Sequence, residues 1–147
     1  MRQKVLNNIL KKYHVKIAYL FGSQQPAGIA FLDGEAKSVE KGSDLDIGVI
    51  FERLPQKTFE VYGALYAELS VFFEPFTLDL VFLQETGPLF QYEAICGKCV
   101  YCDDENFFDD YEERVMKTAS DLAFKKVEFE RDFLEAVKDG YFEITRR

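Results

Sequence analysis

Asp44 and Asp46 stand two residues apart at the head of an apolar run that reaches Phe51. In a strand, residues i and i+2 project from one face, so the two carboxylates would lie side by side. Adjacent carboxylates repel and resist joint ionisation. A divalent cation removes that conflict, and hard cations such as Mg2+ prefer carboxylate oxygen. A plainer alternative stands beside this one: Gly42-Ser43-Asp44 makes a turn, and Asp46 is solvated at a strand end. A third acid, Asp79, interrupts the apolar run at residues 78–83. An acid within a buried strand is costly unless paired, protonated or metal-bound. Upstream, the apolar run at 15–21 ends in Gly22-Ser23. That pair reads as a strand-ending turn with Ser23 as a helix cap, or as a backbone site that approaches a ligand closely.

The elements that position these residues follow from periodicity. Val5, Leu6, Ile9, Leu10 and Tyr13 have helical spacing, which predicts an amphipathic helix over residues 1–13. Residues 15–21 form the first strand. Residues 45–51 are apolar on both alternations apart from Asp46 and Gly48, as expected of a central strand covered on both faces. Phe59, Tyr62, Leu65, Tyr66, Leu69 and Phe73 recur at three and four, predicting a core-packing helix that Glu74-Pro75 ends. Residues 77–83 form the third strand, with Asp79 inside it. After the Gly87-Pro88 turn come a short helix at 89–95 and a short strand at 98–102. Acids at 103–105 suit the start of a long last helix over about 105–138, where Phe108, Val115, Leu122, Phe129 and Ala136 recur every seven residues. Its second half reaches beyond so small a domain, and fits a partner or a second copy.

A strand ending in Gly22-Ser23, then Asp44-Leu45-Asp46 at a strand start, then Asp79 on a third strand, resembles the nucleotidyltransferase domain of the DNA polymerase beta superfamily. Within it, the small size resembles the minimal nucleotidyltransferases, the MntA-type partners of HEPN-domain toxins. The likeness covers about residues 15–101. It implies an α/β (α+β) nucleotidyltransferase fold, a small mixed sheet with flanking helices, in one domain spanning residues 1–147. It implies Asp44, Asp46 and Asp79 as catalytic residues holding Mg2+, with Asp79 accepting a proton from the incoming hydroxyl. Gly22 and Ser23, opening a helix, and Ser43 would bind the phosphates of ATP. Free N–H groups at a helix start attract anions, which agrees with that placement. The acceptor implied is a tyrosine of a HEPN-type toxin, so that the protein acts as an antitoxin by AMPylation. The alternatives are a contact-only antitoxin and an aminoglycoside-like transferase, although the latter usually brings an extra helical domain.

The sequence departs from the family pattern at residues 24–42. The basic residue usual after Gly-Ser is missing, and Lys37 and Lys41 are the nearest replacements. Asp33-Gly34 reads as a turn, so a hairpin or flap is expected beside the pocket. Cys96, Cys99 and Cys102 invite a metal reading, but a zinc site wants four ligands and the single histidine, His14, is far away. On a regular strand Cys99 and Cys102 would also point to opposite faces. Reduced cytosolic thiols are expected instead. A net charge of −8, from 18 basic and 26 acidic residues, argues against a broad nucleic-acid footprint. No run approaches a membrane span and the N-terminus does not read as a signal peptide, so a cytoplasmic location is expected.

Overall fold

Alternating apolar residues and helical stripes build one sheet with helices on both faces. The computed structural model describes residues 1–35 and 44–140. Helix α1 (Arg2–Lys12) leads into β1 (Val15–Phe21), α2 (Gln25–Leu32), β2 (Asp44–Phe51), α3 (Thr58–Phe72) and β3 (Thr77–Phe82). A single 3-10 turn (Leu83–Glu85), α4 (Pro88–Ile95), β4 (Lys98–Cys102) and α5 (Glu105–Lys138) complete the described chain. The strand order is β3-β2-β1-β4, with β2 and β3 parallel and the other pairs antiparallel. This is the small mixed sheet expected.

The pleat divides the core in two. Ala18 and Leu20 of β1, Leu45, Ile47 and Val49 of β2, and Leu78, Leu80 and Phe82 of β3 face one cluster with Leu6, Leu10, Leu65 and Leu69 of α1 and α3. Ile17, Tyr19 and Phe21 of β1, with Ile50 of β2, face the other, closed by Ala94 of α4 and Tyr111 and Val115 of α5. Since side chains alternate along a strand, Asp44, Asp46 and Gly48 share the α4–α5 face with Ile50. Asp79 lies on that same face of β3, opposite in direction to its neighbours Leu78 and Leu80.

Several expectations are corrected. Residues 25–32 form helix α2, the helix that the resemblance implies after Gly22-Ser23, and the Asp33-Gly34 turn follows its end instead of joining two described strands. The remainder of that stretch, including Lys37, Lys41 and Ser43, lies outside the described residues. In α3, Leu65 and Leu69 are buried as expected, but Phe59 is 94% exposed and Tyr66 is on the outer side. Asp79 is not in a buried strand. Strand β3 is the sheet edge and alternates buried and exposed, so its acid reaches solvent. The β1–β4 pairing slips between Ala18 and Tyr19, where Tyr101 and Cys99 are the successive partners and Val100 is passed over. That irregularity turns Cys99 and Cys102 toward one shallow pocket with Glu105, Phe108 and Asp109, rather than to opposite faces. Burial pushes the Cys99 thiol up to about 11, so it stays protonated at neutral pH.

Helix α5 starts where Asp104 accepts hydrogen bonds from the backbone N–H of Asn106 (2.9 Å) and Phe107 (3.2 Å). Its first half buries Tyr111, Val115 and Ala119, whereas residues 120–135 are all exposed. Among the described residues, no helix is long and apolar enough to cross a membrane.

Candidate active site

Three strands bring the candidate residues to one end of the sheet. Antiparallel pairing sets Phe21 opposite Asp46, and parallel pairing sets Asp46 opposite Asp79 and Asp44 opposite Thr77. The last residue of β1 therefore abuts the first acids of β2, and Gly22 follows at once. Gly22 has φ +78, and a Cβ there would fall 2.1 Å from Oδ2 of Asp46. Only glycine accepts both that backbone conformation and that contact. The Gly22 backbone is thus packed directly against the Asp46 carboxylate.

The electrostatics of the pair are those of crowded acids. Burial raises the Asp46 carboxyl to about 6, reinforced by the charge of Asp79 and the hydrogen bond between the two carboxyl groups. Asp44 and Glu93 add smaller like-charge contributions. Glu93, on α4, is an acid that sequence reasoning missed, because nothing in the spacing of a short helix marks which face meets a distant strand. Tyr62 is a second residue missed. Its hydroxyl donates to the Leu80 carbonyl at 2.7 Å, and burial followed by the Asp79 charge raises its pKa. Beside it, a groove of about 630 Å³ between α3 and β3 is lined by Thr58, Phe59, Tyr62, Leu80, Val81 and Phe82. It begins one residue beyond Asp79.

Ser23 is exposed and adjoins Gly22. It does not cap α2, whose N-cap is Gln24, with no side-chain cap bond. The Gly22 carbonyl accepts from the Gln25 N–H at 3.3 Å, so the chain turns tightly from β1 into the helix. The helix N-terminus accordingly opens beside the carboxylates.

Among the described residues, no group of three or more His, Cys, Asp or Glu is placed to hold a metal ion. The donor set nonetheless suits a hard cation. Asp46 and Asp79 meet across a strand pair, supply only oxygen, and carry a mutual repulsion that a divalent ion would relieve. Asp44 shares their face and is close enough to act on Asp46 electrostatically. Carboxylate pairs of this kind can bind a metal–phosphate group and receive a proton.

A small mixed sheet with acids at neighbouring strand ends, next to a glycine turn that opens a helix, is the architecture of a nucleotidyltransferase. The family described as Polymerase beta, Nucleotidyltransferase matches residues 4–106, and the chain belongs to it. No curated protein matches the sequence significantly. Solved structures do match in fold. A mutant of the toxin–antitoxin MntA–HpeT aligns with TM-score 0.64 at 14% identity, covering 91% of this chain and 98% of that one. A tri-AMPylated Shewanella oneidensis HEPN toxin in complex with MNT antitoxin aligns with TM-score 0.58 at 14% identity, covering 90% and 96%. A toxin–antitoxin with AMP-PNP aligns with TM-score 0.60 at 15% identity, covering 91% and 99%. Likeness at such identities carries the fold. By family this is a nucleotidyltransferase, an enzyme of that class.

Proposed function

We propose that this protein is a cytoplasmic, Mg2+-dependent adenylyltransferase that moves AMP from ATP to a tyrosine hydroxyl of a HEPN-type toxin and so acts as its antitoxin. The observation that carries the reading is the meeting of Asp46 and Asp79 across β2 and β3 against the Gly22 backbone. Asp44, Asp46 and Asp79 would hold Mg2+, which supplies charge neutralisation at the phosphates and alignment for in-line displacement. Gly22, Ser23 and Ser43 would receive the phosphate oxygens, aided by the start of α2. The incoming hydroxyl oxygen forms a bond to the α-phosphorus as the bond to the pyrophosphate oxygen breaks. The hydroxyl proton passes to Asp79, which stands at the open sheet edge where an acceptor can reach it. The neighbours in fold support the donor and acceptor: one is a toxin–antitoxin with AMP-PNP and another holds a tri-AMPylated HEPN toxin.

A contact-only antitoxin is the second reading. It is favoured by the composition of α2, Gln-Pro-Ala-Gly-Ile-Ala-Phe-Leu, which offers no basic side chain to the phosphates. The two separate in one experiment, with purified chain, Mg2+, labelled ATP and a candidate HEPN toxin. Label on a toxin tyrosine that vanishes with Asp44→Ala/Asp46→Ala is the expected result. A stable complex without label, unchanged by Asp79→Asn, selects the contact-only reading.

A further inference from the structure

Helix α5 carries a seam that its own domain covers for only half its length. Tyr111, Val115 and Ala119 are buried. The same stripe continues at spacings of three and four through Leu122, Lys126, Phe129, Phe133 and Ala136. Beyond the domain Leu122 is 39% and Phe129 70% exposed. A sustained three–four spacing is the seam of a coiled coil. Phe124, Val127 and Leu134 lie on the far side of the helix, where Arg131 and Lys138 interrupt them, and that side does not continue the buried face.

We infer that a second copy of this chain covers the seam, its α5 running antiparallel and crossing near residues 127–129. Length selects this arrangement first. The exposed run of the helix begins after Ala119 and reaches Glu135, so two antiparallel copies overlap over that whole segment, about 24 Å at 1.5 Å per residue. Each helix end then stops where the other domain begins. Charge selects it second. In antiparallel register, Lys125 on one flank falls opposite Asp132 of the partner subunit, and symmetry repeats the pair. Lys126, in the seam, falls near Glu130 of the partner subunit, on the other flank. A parallel pairing would instead set Lys126 against its own counterpart inside the seam, a like-charge contact. Packing agrees, because Leu122 then meets Phe133 of the partner subunit and the aliphatic stem of Lys126 lies along Phe129 of the partner subunit.

The test uses the full chain. Sedimentation velocity at micromolar concentration is expected to give a dimer, and Phe129→Glu a monomer with unchanged helical circular dichroism. Orientation is read from two further variants, Lys125→Cys and Asp132→Cys. Mixed and mildly oxidised, they should cross-link to each other well above either alone and above the parent's background from Cys96, Cys99 and Cys102. A monomer at every concentration overturns the inference, as does a dimer indifferent to Phe129→Glu. Cross-linking within each variant but not between them shows a parallel pair and also overturns it. So does a chain that stays monomeric alone and uses this face only for a helical partner of another kind.

Discussion

The carboxylate end of the sheet and the free half of α5 are built on opposite principles. At the sheet end, three strands and a glycine turn hold the acids in register, and Asp46 packs against the Gly22 backbone opposite Asp79. Along residues 120–135 every side chain is exposed, and the rings of Phe129 and Phe133 stack on each other. The first region stores electrostatic conflict that a cation would relieve. The second leaves apolar surface that another helix would cover. Tertiary packing fixes a chemical site, whereas an unpacked periodic face specifies an association.

Substitutions can break or sharpen that contrast. The largest effect belongs to Asp79→Asn, which keeps the shape and removes one charge. Transfer is expected to fall by on the order of 10²–10³-fold or more in a labelled-ATP assay, with the melting temperature of the chain little changed. Gly22→Ala comes next. The new methyl collides with Asp46 and forces a left-handed backbone, costing about 1–2 kcal/mol in denaturant unfolding and most of the activity. If Gly22→Ala is silent in both measurements, the close packing of Gly22 on the carboxylate is wrong.

Packing along α5 should grade in the same way. Val115→Ala, in the covered half, is expected to cost about 1–3 kcal/mol. Phe129→Ala, in the uncovered half, should change the unfolding free energy of the dissociated chain by no more than about 0.5 kcal/mol. Equal costs at the two positions would erase the distinction between the halves.

The smallest effect is a pH dependence. Asp46 keeps its proton to about pH 6 in the fold, against an ordinary value of 3.8. Between those values the folded chain binds more protons than the unfolded one, so stability falls as pH rises through that window. Without divalent ions, Asp46→Asn should therefore melt a few degrees higher than the parent at pH 7.5, with the difference gone near pH 4. Adding Mg2+ should raise the parent and not the variant.

Much of the frame was legible in the chain. Residues 15–21, 45–51 and 77–83 announced strands by composition, and the structure brings the acids at 44, 46 and 79 that head or interrupt them to one face of the sheet. The seven-residue recurrence from Phe108 announced the long helix. Other features were not legible. Asp79 looked buried because composition cannot tell an edge strand from a central one. Cys99 and Cys102 looked opposed because spacing assumes a regular pleat, and the slip opposite Ala18 and Tyr19 depends on a partner strand 80 residues away in sequence. The Asp33-Gly34 turn suggests a hairpin or flap, yet residues 25–32 before it form a helix despite Pro26 and Gly28. Proline is tolerated in a first helical turn, and Gly28 fits where a Cβ would come within 2.9 Å of both Leu20 and Leu45 side chains.

The sequence by itself determined which residues could bear charge at a strand end and which elements carry them, since alternation and helical period are local properties. Only the tertiary structure decided that Asp46 meets Asp79, that Glu93 and Tyr62 stand near them, and where α5 leaves the domain. Those facts depend on sheet order, register and helix docking, which arise from contacts between segments distant in the chain, and no short-range pattern encodes them.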